Sequence, residues 1–237
     1  MGRNYFQFKQ FRIEQDQCAN KVSTDACVFG AWLNTFITRG TLIDVGSGSG
    51  LLSLMLGHKP NLTITGIEID QTCQKQALCN LQNSKWKSKI EFIHADMRKW
   101  HSEKKFDFII GNPPFFKHSE KDLHTSRNIA RQTTSLNPKD MATFATKFSH
   151  DKSIGIFLLS NNDIFAAYQK EFKLAGFVFQ EKIELKDTAK SESKRMILLV
   201  SQKPIPFILD RILIYKLPDK SLSPAFKKLL SPYYLDN

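Results

Sequence analysis

The chain has 237 residues, 41% of them hydrophobic, which suits one large or two small domains and is ample for a buried core. No run approaches the roughly 18 apolar residues of a membrane span and Met1 to Phe6 lacks the apolar core of a signal peptide, so a soluble, cytoplasmic protein is expected. With 34 Lys and Arg against 23 Asp and Glu, the formal charge of +11 fits a polyanionic partner, nucleic acid first, or equally a solubility charge.

Residues 5 to 13 alternate Phe6 and Phe8, then Phe11 and Ile13, with polar residues, the period of a short hairpin or bent strand. After a polar stretch ending in Lys21-Val22-Ser23-Thr24-Asp25, Ala26, Phe29, Trp32, Leu33 and Phe36 follow helical spacing, with Thr24 or Asp25 as the expected N-cap. From residue 41 strands and helices alternate: strand 41–45, glycine turn 46–50, helix 51–56, strand 62–67, helix 71–82, strand 90–94 and strand 106–111. A connection over 112–137, far longer than usual, reads as a substrate loop. Helix 138–149, strand 154–159, helix 163–175 and strands 177–185 and 196–201 complete the pattern. The link between the last two strands is too short for a crossover helix, so they must pair antiparallel. We expect an N-terminal extension (1–40), a core (41–203), and a C-terminal strand and basic tail (204–237) belonging to the same domain, with no internal repeats.

Cys18, Cys27, Cys73 and Cys79 show no C-x-x-C spacing and fit no zinc signature; reduced, mostly buried thiols and no metal are expected.

Four strand ends carry polar groups suited to a ligand. Asp44 is followed by Gly46-Ser47-Gly48-Ser49-Gly50, a turn where a ligand can meet bare backbone. Glu68, eighteen residues after Gly50, can accept the hydroxyls of a ribose, and Asp96 can accept an adenine amine. Each alone would be a tight turn, a helix cap or a solvated acid. At the fourth strand end stands Asn112-Pro113-Pro114-Phe115. Two prolines give no N–H and force extended backbone, so the carbonyls there are free of a ladder. An amide oxygen, free carbonyls and an aromatic face together suit a planar amine on a ring, which points to a nucleobase.

A parallel sheet finished by an antiparallel hairpin, with acids at three successive strand ends, resembles the class I S-adenosylmethionine-dependent methyltransferases over roughly residues 40 to 200. That resemblance implies a Rossmann-like α/β fold: a mostly parallel seven-stranded sheet ending in an antiparallel hairpin, with helices on both faces. It also implies S-adenosyl-L-methionine as cofactor, with Asp44, Gly46, Ser47, Gly48 and Gly50 at the methionine portion, Glu68 at the ribose and Asp96 at the adenine. Asn112-Pro113-Pro114-Phe115 is similar to the motif of enzymes that methylate amines conjugated to a π system, which makes these four the catalytic candidates. The motif serves N6 of adenine, N2 of guanine and the amide of glutamine. Phe8-Lys9-Gln10-Phe11, Gln15-Asp16, Lys21 to Asp25 and Gly30-Ala31-Trp32, with Ala130-Arg131-Gln132-Thr133, resemble the bacterial tRNA1(Val) N6-adenine methyltransferases, although an aromatic or His is commoner at the place of Gln132. This extends the resemblance over nearly the whole chain and implies tRNA as partner, with adenine 37 beside the anticodon as target. The alternatives are a guanine-N2 ribosomal RNA methyltransferase, a release-factor glutamine methyltransferase and a non-catalytic RNA-binding protein of the same fold. The resemblance adds Lys21 and Thr24 as cofactor candidates, helix capping being the competing reading. RNA-contact candidates are Lys117, Arg127 and Arg131, then Lys85, Lys87 and Lys89, and Lys227 and Lys228.

Overall fold

The computed structural model describes residues 4–113, 137–205 and 212–235. The chain opens with an antiparallel hairpin of β1 (Tyr5–Gln7) and β2 (Arg12–Glu14), in which Phe6 pairs with Ile13. Phe8, Phe11 and Ile13 are buried, and Phe11 meets Trp86 edge-on at 5.5 Å. α1 (Thr24–Phe36) is capped by Ser23, whose side chain accepts from Ala26 N–H, so the helix begins one residue before the positions expected from sequence. Its buried face runs from Ala26 to Leu33.

The sheet then builds from β3 (Arg39–Val45), α2 (Leu51–Leu56), β4 (Asn61–Glu68), α3 (Gln71–Gln82), β5 (Ile90–His94) and β6 (Phe108–Gly111). It continues with α4 (Pro138–Phe148), β7 (Ile154–Leu159), α5 (Asn162–Leu174), β8 (Val178–Lys186) and β9 (Ser193–Ser201). β10 (Ile212–Ile214) and α6 (Pro224–Leu230) finish the chain. Among the described residues the sheet has eight strands in the order β10-β8-β9-β7-β6-β3-β4-β5. β9 runs antiparallel to both neighbours, as the short β8–β9 link requires. The eighth strand is β10, which lies parallel against β8 at the edge and so extends the seven strands expected.

Ile43 and Val45 face one buried cluster with Met141, Phe144 and Phe148 of α4, while Leu42 faces another with α1, α2 and the hairpin. Helices therefore cover both faces, as the near-continuous apolar strands demand. The chain lays down β3, β4 and β5 to one side and returns to place β6 on the other side of β3. That reversal is a topological switch point, where ligands of open α/β sheets sit.

The cysteines depart from the reduced state expected. Cys18 and Cys73 form a disulfide, Cys27 is free and buried, and Cys79 is free and exposed. The reason is tertiary: residues 14–18 lie along α3, with Glu14 N–H donating to Asn80 Oδ1 (2.9 Å) and Gln17 N–H to Gln76 Oε1 (3.0 Å), which brings Cys18 against the first turn of that helix. No helix among the described residues is long and apolar enough to cross a membrane.

Candidate active site

Register places the site. Val45 pairs with Ile67 on one side and Gly111 on the other, and both pairings are parallel. Gly46, Glu68 and Asn112 are the next residues of three adjacent strands, so they leave the sheet side by side. The glycine turn is held down by Gly46 N–H and Ser47 N–H, both donating to Ile67 O (2.8 and 3.0 Å). Its glycines adopt φ of 74, 56 and 84° at Gly46, Gly48 and Gly50, a region that residues with a Cβ enter at a cost. A Cβ at Gly50 would lie 2.7 Å from Phe92 Cζ, whereas one at Gly48 would project into open space. Gly50 is thus needed for packing, and Gly48 keeps an open cradle bare.

Glu68 braces this turn. Its Oε2 accepts from Gly48 N–H and its Oε1 from Asp70 N–H, each at 2.9 Å. Asp70 in turn caps α3, accepting from Thr72 and Cys73 N–H. Asp44 lies one residue inside the end of β3, 1% exposed, and its Oδ2 accepts from Ser53 Oγ at 2.8 Å. Burial pushes its carboxyl up to about 7, opposed by the Ser53 hydroxyl and reinforced by the charge of Glu68. Asp96 follows β5 and is gripped by Arg98: the guanidinium donates from Nε to Oδ1 (2.9 Å) and from Nη2 to Oδ2 (2.7 Å). That grip holds the carboxyl below its usual range, with the Arg98 hydrogen bonds as the largest cause.

Among the described residues Asn34 Oδ1, Ser47 Oγ, Asn112 Oδ1 and Ser160 Oγ are buried without a hydrogen-bond partner, and the last three follow the neighbouring strands β3, β6 and β7. A buried polar atom left unmatched costs about 1–3 kcal/mol, so unmatched atoms at adjacent strand ends suit a site where a ligand brings partners. Pro113 is buried beside Asn112. Pro114, Phe115, Lys117, Arg127 and Arg131 lie outside the described residues. Lys21 donates from Nζ to Gln15 O, and Thr24 is the exposed first residue of α1. Among the described residues neither hydrogen-bonds to the strand-end acids. Lys85, Lys87 and Lys89 precede β5, so they stand at the end of the sheet away from Asn112.

Reading the sequence missed Ser53, Asp70 and Arg98. Ser53 left a signal, as the one polar residue in the apolar run Leu51 to Leu56. Arg98 left none beyond standing two residues after Asp96.

The profile of the Methyltransferase small domain matches residues 20–141. The tRNA1(Val) (adenine(37)-N6)-methyltransferase of Trichodesmium erythraeum is 31% identical over 99% of both chains. That of Pseudoalteromonas translucida is 33% identical, covering 97% of this chain and 98% of its own. Among solved structures, a predicted O-methyltransferase from Agrobacterium tumefaciens superimposes with a TM-score of 0.64 at 15% identity, over 88% of this chain and 96% of that one, a likeness of fold. With near full-length identity above 30% and a profile that spans the glycine turn and Asn112, the chain belongs to the tRNA1(Val) (adenine(37)-N6)-methyltransferase family.

Proposed function

We propose that this chain transfers a methyl group from S-adenosyl-L-methionine to N6 of adenine 37 in tRNA1(Val). The observation that carries the reading is Asn112 Oδ1, buried and without a partner among the described residues at the end of β6, one residue past the register pair Val45 and Gly111. An acceptor there needs a donor from a ligand, and an aromatic amine brings two.

The residues of the crevice fit the cofactor. The bare cradle at Gly48 admits close approach, Ser47 Oγ offers an unused hydroxyl, Glu68 retains acceptor capacity for ribose hydroxyls, and Asp96 is kept ionised by Arg98 to accept an amine. When bound, S-adenosyl-L-methionine supplies an electrophilic methyl group on a sulfonium.

The rest of the chemistry falls to the chain. The adenine N6 lone pair is delocalised into the ring and is a poor nucleophile. Asn112 Oδ1 accepting one N–H and the Pro113 carbonyl the other favours the pyramidal nitrogen of the transition state over the planar ground state. Since the gain appears only as the nitrogen pyramidalises, it raises turnover rather than ground-state affinity. Once methylated, the nitrogen is acidic and gives its proton to water without a dedicated base. Phe115 would stack on the base, and Lys21, Thr24, Lys117, Arg127 and Arg131 keep the cofactor and RNA roles proposed from the sequence.

The test is mass-spectrometric mapping of nucleosides after incubation with unmodified tRNA. N6-methyladenosine at position 37 is expected; no methylated adenine at position 37, with radiolabel from the cofactor going instead to ribosomal RNA or protein offered in parallel, overturns the reading.

A further inference from the structure

The strands that carry the site run from cations to acids. Arg39 opens β3, which closes on Asp44 and Val45; Lys59 stands just before β4, which closes on Glu68; Lys89 immediately precedes β5, which leads to Asp96. Lys105 comes shortly before β6 and Lys152 shortly before β7. These strands are spatial neighbours in the order β7-β6-β3-β4-β5, and all are parallel. Their five leading cations therefore form a row along the end of the sheet away from Asn112. At about 4.8 Å between strands the row spans roughly 20 Å.

Of the acids beside these segments, Asp107, Glu91 and Asp151 are engaged. Asp107 Oδ2 accepts from the Thr41 N–H (2.7 Å) and hydroxyl (2.9 Å), and its Oδ1 lies 3.1 Å from His150 Nε2. Glu91 pairs with Lys104 at 3.4 Å, Asp151 pairs with Lys203, and Glu103 is exposed. His58 next to Lys59 is held below its usual range, first by burial and then by the charges of Lys59 and Lys89. Helix C-termini also face this end, but each carries only about half a negative charge. The ends of α2 and α3 together offset about one of the cations Lys59, Lys85, Lys87 and Lys89, which leaves an excess. Among the described residues the segments of this row expose no large apolar side chain, while Leu174, Val178 and Phe179 are exposed at the same end only beyond β9, so the row itself suits phosphates in water.

We infer that this basic end of the sheet is a second RNA-binding surface, one that takes backbone phosphates without reading sequence and lies at the opposite pole from the catalytic residues. Point charges at regular spacing serve that purpose, since phosphate contacts position an RNA and carry no base information. The inference rests on charge and topology and is independent of which base is methylated.

The experiment uses a short oligouridylate, which has no adenine to enter the site, and follows its affinity by fluorescence anisotropy across salt concentrations. Arg39, Lys87, Lys105 and Lys152, all exposed, are changed together to Gln. A second protein carries Gln at the exposed Lys170, Lys190, Lys216 and Lys220, removing the same charge elsewhere. Each single-strand phosphate that is no longer neutralised lowers the slope of log K against log salt by about 0.7, so the slope should fall by about 3 in the first variant. In the second it should fall by less than half as much. An unchanged slope in the first variant, or an equal fall in both, overturns the inference. Calorimetric S-adenosyl-L-methionine affinity equal to wild type shows that the first variant is folded. Methylation of tRNA by the wild type is scored separately, so failure of the proposed reaction is not confused with failure of this surface.

Discussion

Gly48 donates its backbone N–H to Glu68 Oε2 at 2.9 Å, so a carboxylate from β4 holds the turn that follows β3. The other oxygen of Glu68 holds Asp70, the cap of α3. One side chain thus sets both the glycine cradle and the start of the next helix. Changing Glu68→Ala strands two backbone donors of a partly buried carboxylate. We expect cofactor affinity to fall by more than tenfold and stability by about 2–3 kcal/mol, read by calorimetry and urea unfolding. Glu68→Gln keeps one acceptor and should lie between Ala and wild type.

Asn112→Ala removes an acceptor that has no partner within the described protein, so folding should be unaffected or slightly improved. Methyl transfer to tRNA should drop by about 100-fold or more, the size expected for loss of one preorganised polar group, with cofactor affinity within a few fold of wild type. Radiolabel transfer and calorimetry report the two separately. Wild-type turnover would remove Asn112 from the mechanism.

Asp44 gives a signed pH dependence. Its carboxyl titrates at an ordinary 3.8 in the unfolded chain and at about 7 when buried in the fold, so the native state holds the proton over that interval. Stability tied to this group is fully present below 3.8 and is lost as pH rises to about 7. Asp44→Asn keeps an acceptor for Ser53 and has no charge to bury. Its stability relative to wild type should therefore grow with pH across this window, by at most about 4 kcal/mol, and level off above it. Urea unfolding of both proteins from pH 4 to pH 8 checks this, and a difference that does not change with pH contradicts it.

Asp96 and Arg98 act as a unit, because the guanidinium fixes the carboxylate by two short bonds. Asp96→Ala should weaken cofactor binding by about tenfold, the size of one charge-assisted hydrogen bond, while leaving RNA affinity within twofold. Arg98→Ala should weaken the cofactor less at neutral pH, with a larger loss at acid pH because the freed carboxyl titrates higher. Calorimetry at two pH values separates them.

The Cys18–Cys73 disulfide closes a loop of 55 residues between the N-terminal extension and α3. Cys18→Ser should cost about 2–4 kcal/mol under non-reducing conditions and much less in dithiothreitol, where wild type and variant converge. Equal unfolding midpoints without reductant would show that the bond contributes nothing.

Most elements were legible because their signals are local. α3 and β5 fall on the residues expected from sequence, and β7 does as well, since apolar period and flanking turn residues lie within a few positions of one another. The cap of α1 was misplaced by one residue because Ser23, Thr24 and Asp25 are all good caps in succession, and only the backbone shows which one turns. The disulfide was unreadable because 55 residues separate its halves and no spacing rule connects them.

The amino-acid sequence by itself determined the order of strands and helices, the glycine turn, the strand-end acids and the amide-diproline stretch, since each depends on neighbours along the chain. Tertiary structure alone decided that Val45 lies between Ile67 and Gly111, which sets Gly46, Glu68 and Asn112 side by side. It alone decided that Asp44 is buried on Ser53, that Asp96 is held by Arg98, and that the lysines before β5 face away from the site. These follow from sheet register and burial, which arise when segments distant in sequence pack together and which no local pattern encodes.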